Sequence, residues 1–144
     1  MSYQTEPLNA AYGGEGWSPR TAVLRQEIGR LWSSCGIDSE WRRLKQVLLH
    51  RPGDELLASQ NDHNAVQMHE PLDLAKAQAQ HDGIAAAYKS LGVHVHYVNP
   101  AVQPTPNQMF CAELMFLTPE GVIIARPASA VRAGEERWEA RRLA

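Results

Sequence analysis

A helix marked at both ends and followed at once by a strand constrains this chain more than any other stretch. Leu74, Ala77, His81, Ile84, Tyr88 and Leu91 recur at alternating steps of three and four, the spacing of one helical face. Pro71 suits the first turn of such a helix over 71–91, and Gly92 is the residue expected just past its end. Val93, Val95 and Tyr97 then alternate with His94, His96 and Val98, the period-two pattern of a strand. Upstream, residues 44–49 (Leu-Lys-Gln-Val-Leu-Leu) read as another strand, stopped by Arg51-Pro52-Gly53-Asp54. Strand, helix and strand in this order predict an α/β fold.

The flanks complete that plan. Apolar runs at 109–117 and 122–126, separated by Thr118-Pro119-Glu120-Gly121, predict a β-hairpin. Residues 134–144, rich in Glu, Arg and Ala, predict a closing helix. Leu24, Ile28, Leu31 and Trp32 predict a short amphipathic helix near 20–33, with Ser18 as its N-cap and Cys35-Gly36 as its stop. Residues 54–70, with Asn61, Asp62, His63 and Asn64 clustered, read as a long polar surface loop, a kind that is often functional. The Pro- and Gly-bearing stretch 1–19 reads as a flexible N-terminal arm ahead of a folded unit at 20–144. A last helix of about ten residues is marginal unless it packs on something. No later strand receives Trp138 and Leu143, so the expectation is an incomplete piece of a larger fold.

Composition narrows the function classes. With 14 Lys and Arg against 16 Asp and Glu, the net charge is −2, and nucleic-acid modules are usually clearly basic. No apolar run approaches the roughly 18 residues a membrane span needs. The N-terminus carries neither the basic flank nor the apolar core of a secretory signal. Cys35 and Cys111 are too few for a disulfide framework and lack metal-type spacing. The expectation is a cytoplasmic protein with reduced thiols, bound to neither nucleic acid nor membrane, using no cofactor and no metal.

One element is more specific. Pro106-Asn107-Gln108-Met109-Phe110-Cys111-Ala112-Glu113-Leu114, the continuation Thr118-Pro119-Glu120-Gly121-Val122-Ile123-Ile124-Ala125-Arg126-Pro127 and the stretch Arg132-Ala-Gly-Glu-Glu-Arg137 together resemble the guanidino-group-modifying enzymes, the amidinotransferase and arginine deiminase superfamily. Residues 44–53 resemble that family's opening strand, so the likeness runs over residues 44–144. The resemblance implies a pentein fold, a five-bladed α/β propeller of ββαβ units with its active site in the central pore. This chain would supply about one blade, with a helix on either side. The family's nucleophile is a Cys near the C-terminus paired with a mid-chain His, and neither has a counterpart here. Catalytic residues are therefore expected outside this chain, which alone should be inactive.

The resemblance marks Glu113 as a substrate-binding carboxylate and Asn107 as a residue that orients the ligand. The family's usual pair is a charged residue followed by Asp; here it is Ala112-Glu113, which keeps the carboxylate and adds a methylene. A carboxylate suits a guanidinium because two parallel charge-assisted hydrogen bonds can form. By the residues alone, Glu113 lies in an apolar strand, where a charge wants a partner or water. Asn107 after Pro106 is equally ordinary turn chemistry. Cys111, among Met109, Phe110, Leu114 and Met115, reads as an inert core thiol. His94 and His96 share one strand face, but a metal needs a third ligand that the strand does not offer. His81 reads as a hydrogen-bonded core residue. His50 and Arg51 end a strand, facing a pore or a solvated turn. Arg132 and Glu135 read as a structural pair.

Two functions follow. In the first, the chain is the N-terminal portion or a subunit of an amidinotransferase-like enzyme, acting on a guanidino or related C–N small molecule. In the second, it is a non-catalytic binding or oligomerisation module of the same fold. Either way it should pair with a complementary C-terminal chain or with copies of itself, because one blade leaves its sheet edges open.

Overall fold

The computed structural model describes residues 8–144. Among the described residues, four short strands and four α-helices make a mixed α/β arrangement: α1 (Leu24–Glu27), β1 (Gln46–Leu49), α2 (Ala58–Asp62), α3 (Leu74–Ser90), β2 (His94–Tyr97), β3 (Met115–Thr118), β4 (Gly121–Ile124) and α4 (Glu136–Leu143). The strands form two separate two-stranded sheets. β1 and β2 are parallel, with Gln46 beside His94 and Leu49 beside Tyr97. β3 and β4 are an antiparallel hairpin with Phe116 opposite Ile123. The first sheet is the strand–helix–strand unit expected from the pattern, with α3 as its crossover. Residues 1–7 of the expected N-terminal arm lie outside the described residues.

α3 starts later than Pro71 implies. Asp73 is its N-cap, accepting a 3.0 Å hydrogen bond from the Lys76 N–H, so Pro71 lies before the helix. Its end is as expected: Gly92 takes φ 74° and donates its N–H to the Lys89 carbonyl at 3.0 Å. A left-handed conformation there favours glycine, which has no Cβ to clash. The helix buries a narrower stripe than its periodicity implies. Ala85 is buried, whereas Ile84 and Leu91 are exposed, because two strands are too small a sheet to cover the whole face.

Three expectations are corrected. The helix near 20–33 shrinks to the single turn α1, because Ile28 leaves helical geometry and Gly29 turns left-handed at φ 81°. The polar stretch 54–70 is partly helical: a 3-10 turn over Asp54–Leu57 runs into α2, where the Ser59 hydroxyl donates to the Leu56 carbonyl at 2.8 Å. The hairpin is shorter than 109–126. Residues Cys111–Glu113 form a 3-10 turn, so Glu113 is not in a strand. Phe110 N–H to Asn107 O at 3.0 Å and Leu114 N–H to Cys111 O at 3.1 Å curl this segment before β3 begins.

The hairpin turn follows its chemistry. Thr118 accepts from the Glu120 N–H and donates to the Gly121 carbonyl, both at 3.1 Å. Gly121 sits at φ 122°, and a Cβ there would approach Leu24 Cδ2 to 3.2 Å. A side chain at residue 121 would therefore crowd Leu24 of α1, which packs over the turn.

The core joins the two sheets. Val98, Cys111 and Trp138 are buried together, with Leu48 and Met115 packed against them. Trp138 is thus buried in a cluster against which residues of both sheets pack, contrary to the expectation that the last helix finds nothing to receive it. No helix among the described residues is long and apolar enough to cross a membrane.

His81 is half-buried on α3 near Tyr97, with ring centroids 6.2 Å apart; both its ring nitrogens are shielded from water, yet neither has a hydrogen-bond partner. The expected hydrogen-bonded core histidine is instead an unsatisfied one. Burial pushes its pKa below the usual 6.5. A folded pKa below the unfolded one means the unfolded chain binds more protons, so this contribution to stability is lost as pH falls below about 6.5. His81→Leu is expected to raise stability at neutral pH by about 1 kcal/mol, since two polar nitrogens lose their desolvation cost. The variant should gain more below pH 6, as read by urea denaturation across pH.

Candidate functional site

A cleft of about 210 Å³ is lined by Gln67, Asn107, Phe110, Glu113 and Arg132. Three separate segments build it. The Pro106–Leu114 curl contributes Asn107, Phe110 and Glu113; the approach to α4 contributes Arg132; the turn after α2 contributes Gln67. Both residues marked in the sequence, Asn107 and Glu113, therefore line one cleft.

Asn107 is buried and holds the cleft's wall. Its side-chain amide donates to the Val66 carbonyl at 2.8 Å. Beside that contact, Gln67 is left-handed at φ 58°, an uncommon state for a residue with a side chain. Its amide oxygen accepts from the Ser129 hydroxyl at 2.9 Å. Asn107 thus fixes the turn that carries Gln67.

Glu113 and Arg132 form an ion pair at the cleft mouth. The Glu113 side chain is 63% exposed and that of Arg132 only 14%. Arg132 donates from Nη1 to Glu113 Oε2, from Nε to Glu135 Oε2 at 2.8 Å and from Nη2 to the Phe110 carbonyl at 3.3 Å. Its Cζ also lies 5.9 Å from the centre of the Phe110 ring. Burial works against the Arg132 charge, and the two carboxylates more than offset it. The Arg132–Glu135 pair expected from the sequence is present; the added contact to Glu113 was not foreseen.

Beneath this mouth lies a buried polar layer. Glu135 and Glu139 are fully buried, as is Gln108. The Thr105 hydroxyl donates to Glu135, and Gln108 donates to Glu139 Oε1 at 2.7 Å. Burial raises the Glu139 pKa. Cys111 lies in the same layer. Burial first, then the nearby Glu139 charge, pushes its thiol up to about 12. A thiol so held carries almost no thiolate near neutral pH, so Cys111 is no nucleophile.

Over 61 residues, 42% of its length, the chain is 41% identical to the arginine deiminase of Rhodococcus erythropolis (strain PR4). The match takes in 15% of that protein. No protein-family model matches the chain. This is a partial and distant likeness. It runs in the same direction as the resemblance carried by residues 44–144.

The other candidates fall elsewhere. His50 is buried at a second, larger cavity of about 520 Å³ and pairs with Glu55 at 3.0 Å, so it is not a solvated turn residue. Burial acts to raise the Glu55 pKa, but hydrogen bonds from His50 and the Gly53 N–H hold it below the usual carboxylate range. Arg51 grips Asp82 through two hydrogen bonds of 2.7 and 2.8 Å. His94 and His96 are adjacent on β2, with rings 4.3 Å apart. Among the described residues no three His, Cys, Asp or Glu side chains are grouped to hold a metal. Sequence reasoning did not single out Gln67 or Phe110 as cleft residues. For Phe110 the signal was its place between Asn107 and Glu113; for Gln67 it was only the polar loop.

Proposed function

We propose that this chain forms part of a guanidino-modifying enzyme of pentein type, and that the Asn107–Phe110–Glu113 cleft binds the guanidinium or a related planar C–N cation. One observation carries the reading. The cleft already cradles a guanidinium, that of Arg132, between the Glu113 carboxylate, the Phe110 carbonyl and the Phe110 ring. These are the acceptors and the aromatic neighbour that a guanidino ligand requires. The likeness to an arginine deiminase supports the same class of substrate.

In such a reaction a thiolate attacks the central carbon of the amidine. An amine leaves, and the covalent intermediate passes to an acceptor amine or to water. Glu113 would hold the cation and keep its carbon fixed for attack, since small misplacements cost rate. The thiolate and its histidine would come from outside this chain, because Cys111 is unreactive and no Cys–His pair lies at the cleft.

The test is binding rather than turnover. Titration of the chain with methylguanidinium, followed by NMR, should show saturable binding. Glu113→Gln should weaken it roughly 10-fold or more, the loss of one hydrogen bond to a charged group. The same substitution should change folding stability by no more than about 1 kcal/mol, because an exposed ion pair is worth little. Equal affinity in native and variant chains would sink the reading.

The proposal also has this segment completed by a partner chain or by copies of itself. Phe116 and Ile123 support it: they face each other across the hairpin and are both exposed. Paired apolar side chains left in water mark an interface. Light scattering at micromolar concentration should give a mass above the monomer's. A sharp monomer mass would overturn this part.

A further inference from the structure

Arg132 is held by two carboxylates of opposite character. Glu135 is fully buried and accepts the Arg132 Nε–H at 2.8 Å, with the Thr105 hydroxyl on its other oxygen. Glu113 accepts from Nη1 with a side chain 63% exposed to water. The Phe110 carbonyl takes the third contact, from Nη2 at 3.3 Å. Removing Glu113 from this set leaves Arg132 anchored on Glu135 and Phe110. Release of Arg132 from Glu135 would instead strand a buried carboxylate without its cation. The exposed partner is therefore the one free to leave.

We propose that Glu113 is a movable arm. It is parked on Arg132 when the cleft is empty and drawn off by a guanidinium ligand, while Arg132 stays on Glu135. This rests on the function proposed above. It adds that Arg132 is an internal competitor, a tethered guanidinium occupying the carboxylate that the ligand needs. A planar cation able to offer Glu113 two parallel N–H groups displaces it from that carboxylate. A simple ammonium, with neither fork nor plane, competes poorly for the same oxygen. The parked pair thereby selects for guanidinium over ammonium compounds, and its charge balance keeps a solitary carboxylate from sitting at the cleft mouth.

The test uses NMR signals of the Arg132 side chain and methylguanidinium as probe. Without ligand, Glu113→Gln should shift the Arg132 Nη signals and leave Nε–H, bonded to Glu135, in place. Titrating the native chain with methylguanidinium should reproduce that shift. Arg132→Lys keeps a charge for Glu135 but cannot fork to both carboxylates. It should bind methylguanidinium roughly twofold to fivefold more tightly, the gain from dissolving an exposed ion pair. Methylammonium should bind the native chain more weakly than methylguanidinium.

Binding that is lost in Glu113→Gln but leaves the native Arg132 Nη signals unmoved would overturn the arm while sparing the proposed function. Weaker or unchanged affinity in Arg132→Lys would also overturn it, since Arg132 would then position Glu113 rather than compete. Should Arg132→Lys fail to fold, the native titration decides alone. No binding to either chain would sink the proposed function and this inference together.

Discussion

Trp138→Ala should cost this chain about 3–5 kcal/mol of folding stability, the usual loss for a buried tryptophan truncated in a core. Trp138 belongs to the buried cluster in which the two sheets meet. It is 8% exposed and clusters with Val98, at the end of β2, and Cys111, ahead of β3, while Leu48 of β1 and Met115 of β3 pack against this cluster. Its outer side is shielded as well, since the Arg137 guanidinium lies 4.3 Å from the ring centre. Neither two-stranded sheet has a large core of its own, so a cavity here cannot be relieved by packing elsewhere. Total stabilities of about 5–15 kcal/mol make such a loss a large fraction of the whole. Urea denaturation should show the midpoint falling sharply, or no cooperative transition at all. A loss below about 1 kcal/mol would mean that the two sheets fold independently of α4.

The same residue shows where sequence reasoning succeeds and where it stops. The period-two and period-3.6 patterns placed β1, α3, β2 and the hairpin turn within a few residues, because they are local properties of the chain. A cluster that gathers Val98, Cys111 and Trp138 with Leu48 and Met115 draws on residues far apart in the chain and leaves no local trace. The last helix therefore looked unpartnered. Glu113 was misplaced for a related reason. The run from Met109 to Leu117 is apolar enough for a strand, but Pro106-Asn107 starts a curl whose hydrogen bonds capture residues 111–113 first.

At the cleft, the motif made Asn107 and Glu113 legible as a pair. Its third member escaped because the residue that contacts Glu113 sits 19 positions downstream. The Arg132–Glu135 pair is legible in the sequence, because three residues lie within the reach of helical spacing. Gln67 was invisible, because its place in the cleft depends on a left-handed turn and on Asn107 reaching back 41 residues.

Arg132→Leu should be as costly as the tryptophan change, about 3–5 kcal/mol, and for a different reason. It fills similar space, so little is lost in packing. It leaves the Glu135 carboxylate with no cation, on a residue only 1% exposed to water. Breaking a buried ion pair from one side carries that order of penalty, because the remaining charge is uncompensated. The Thr105 hydroxyl stays as a donor but brings no charge. Glu113 loses the same partner at almost no cost, since water takes its place. The double variant Arg132→Leu with Glu135→Leu should therefore recover most of the loss, with apolar side chains replacing the pair. Thr105→Val in the native background should cost less than Arg132→Leu. Thermal and urea unfolding of the four chains gives the comparison directly. If the double variant is no more stable than Arg132→Leu alone, the penalty lies in lost shape rather than in a stranded charge, and the role assigned to Glu135 as the anchor of Arg132 falls with it.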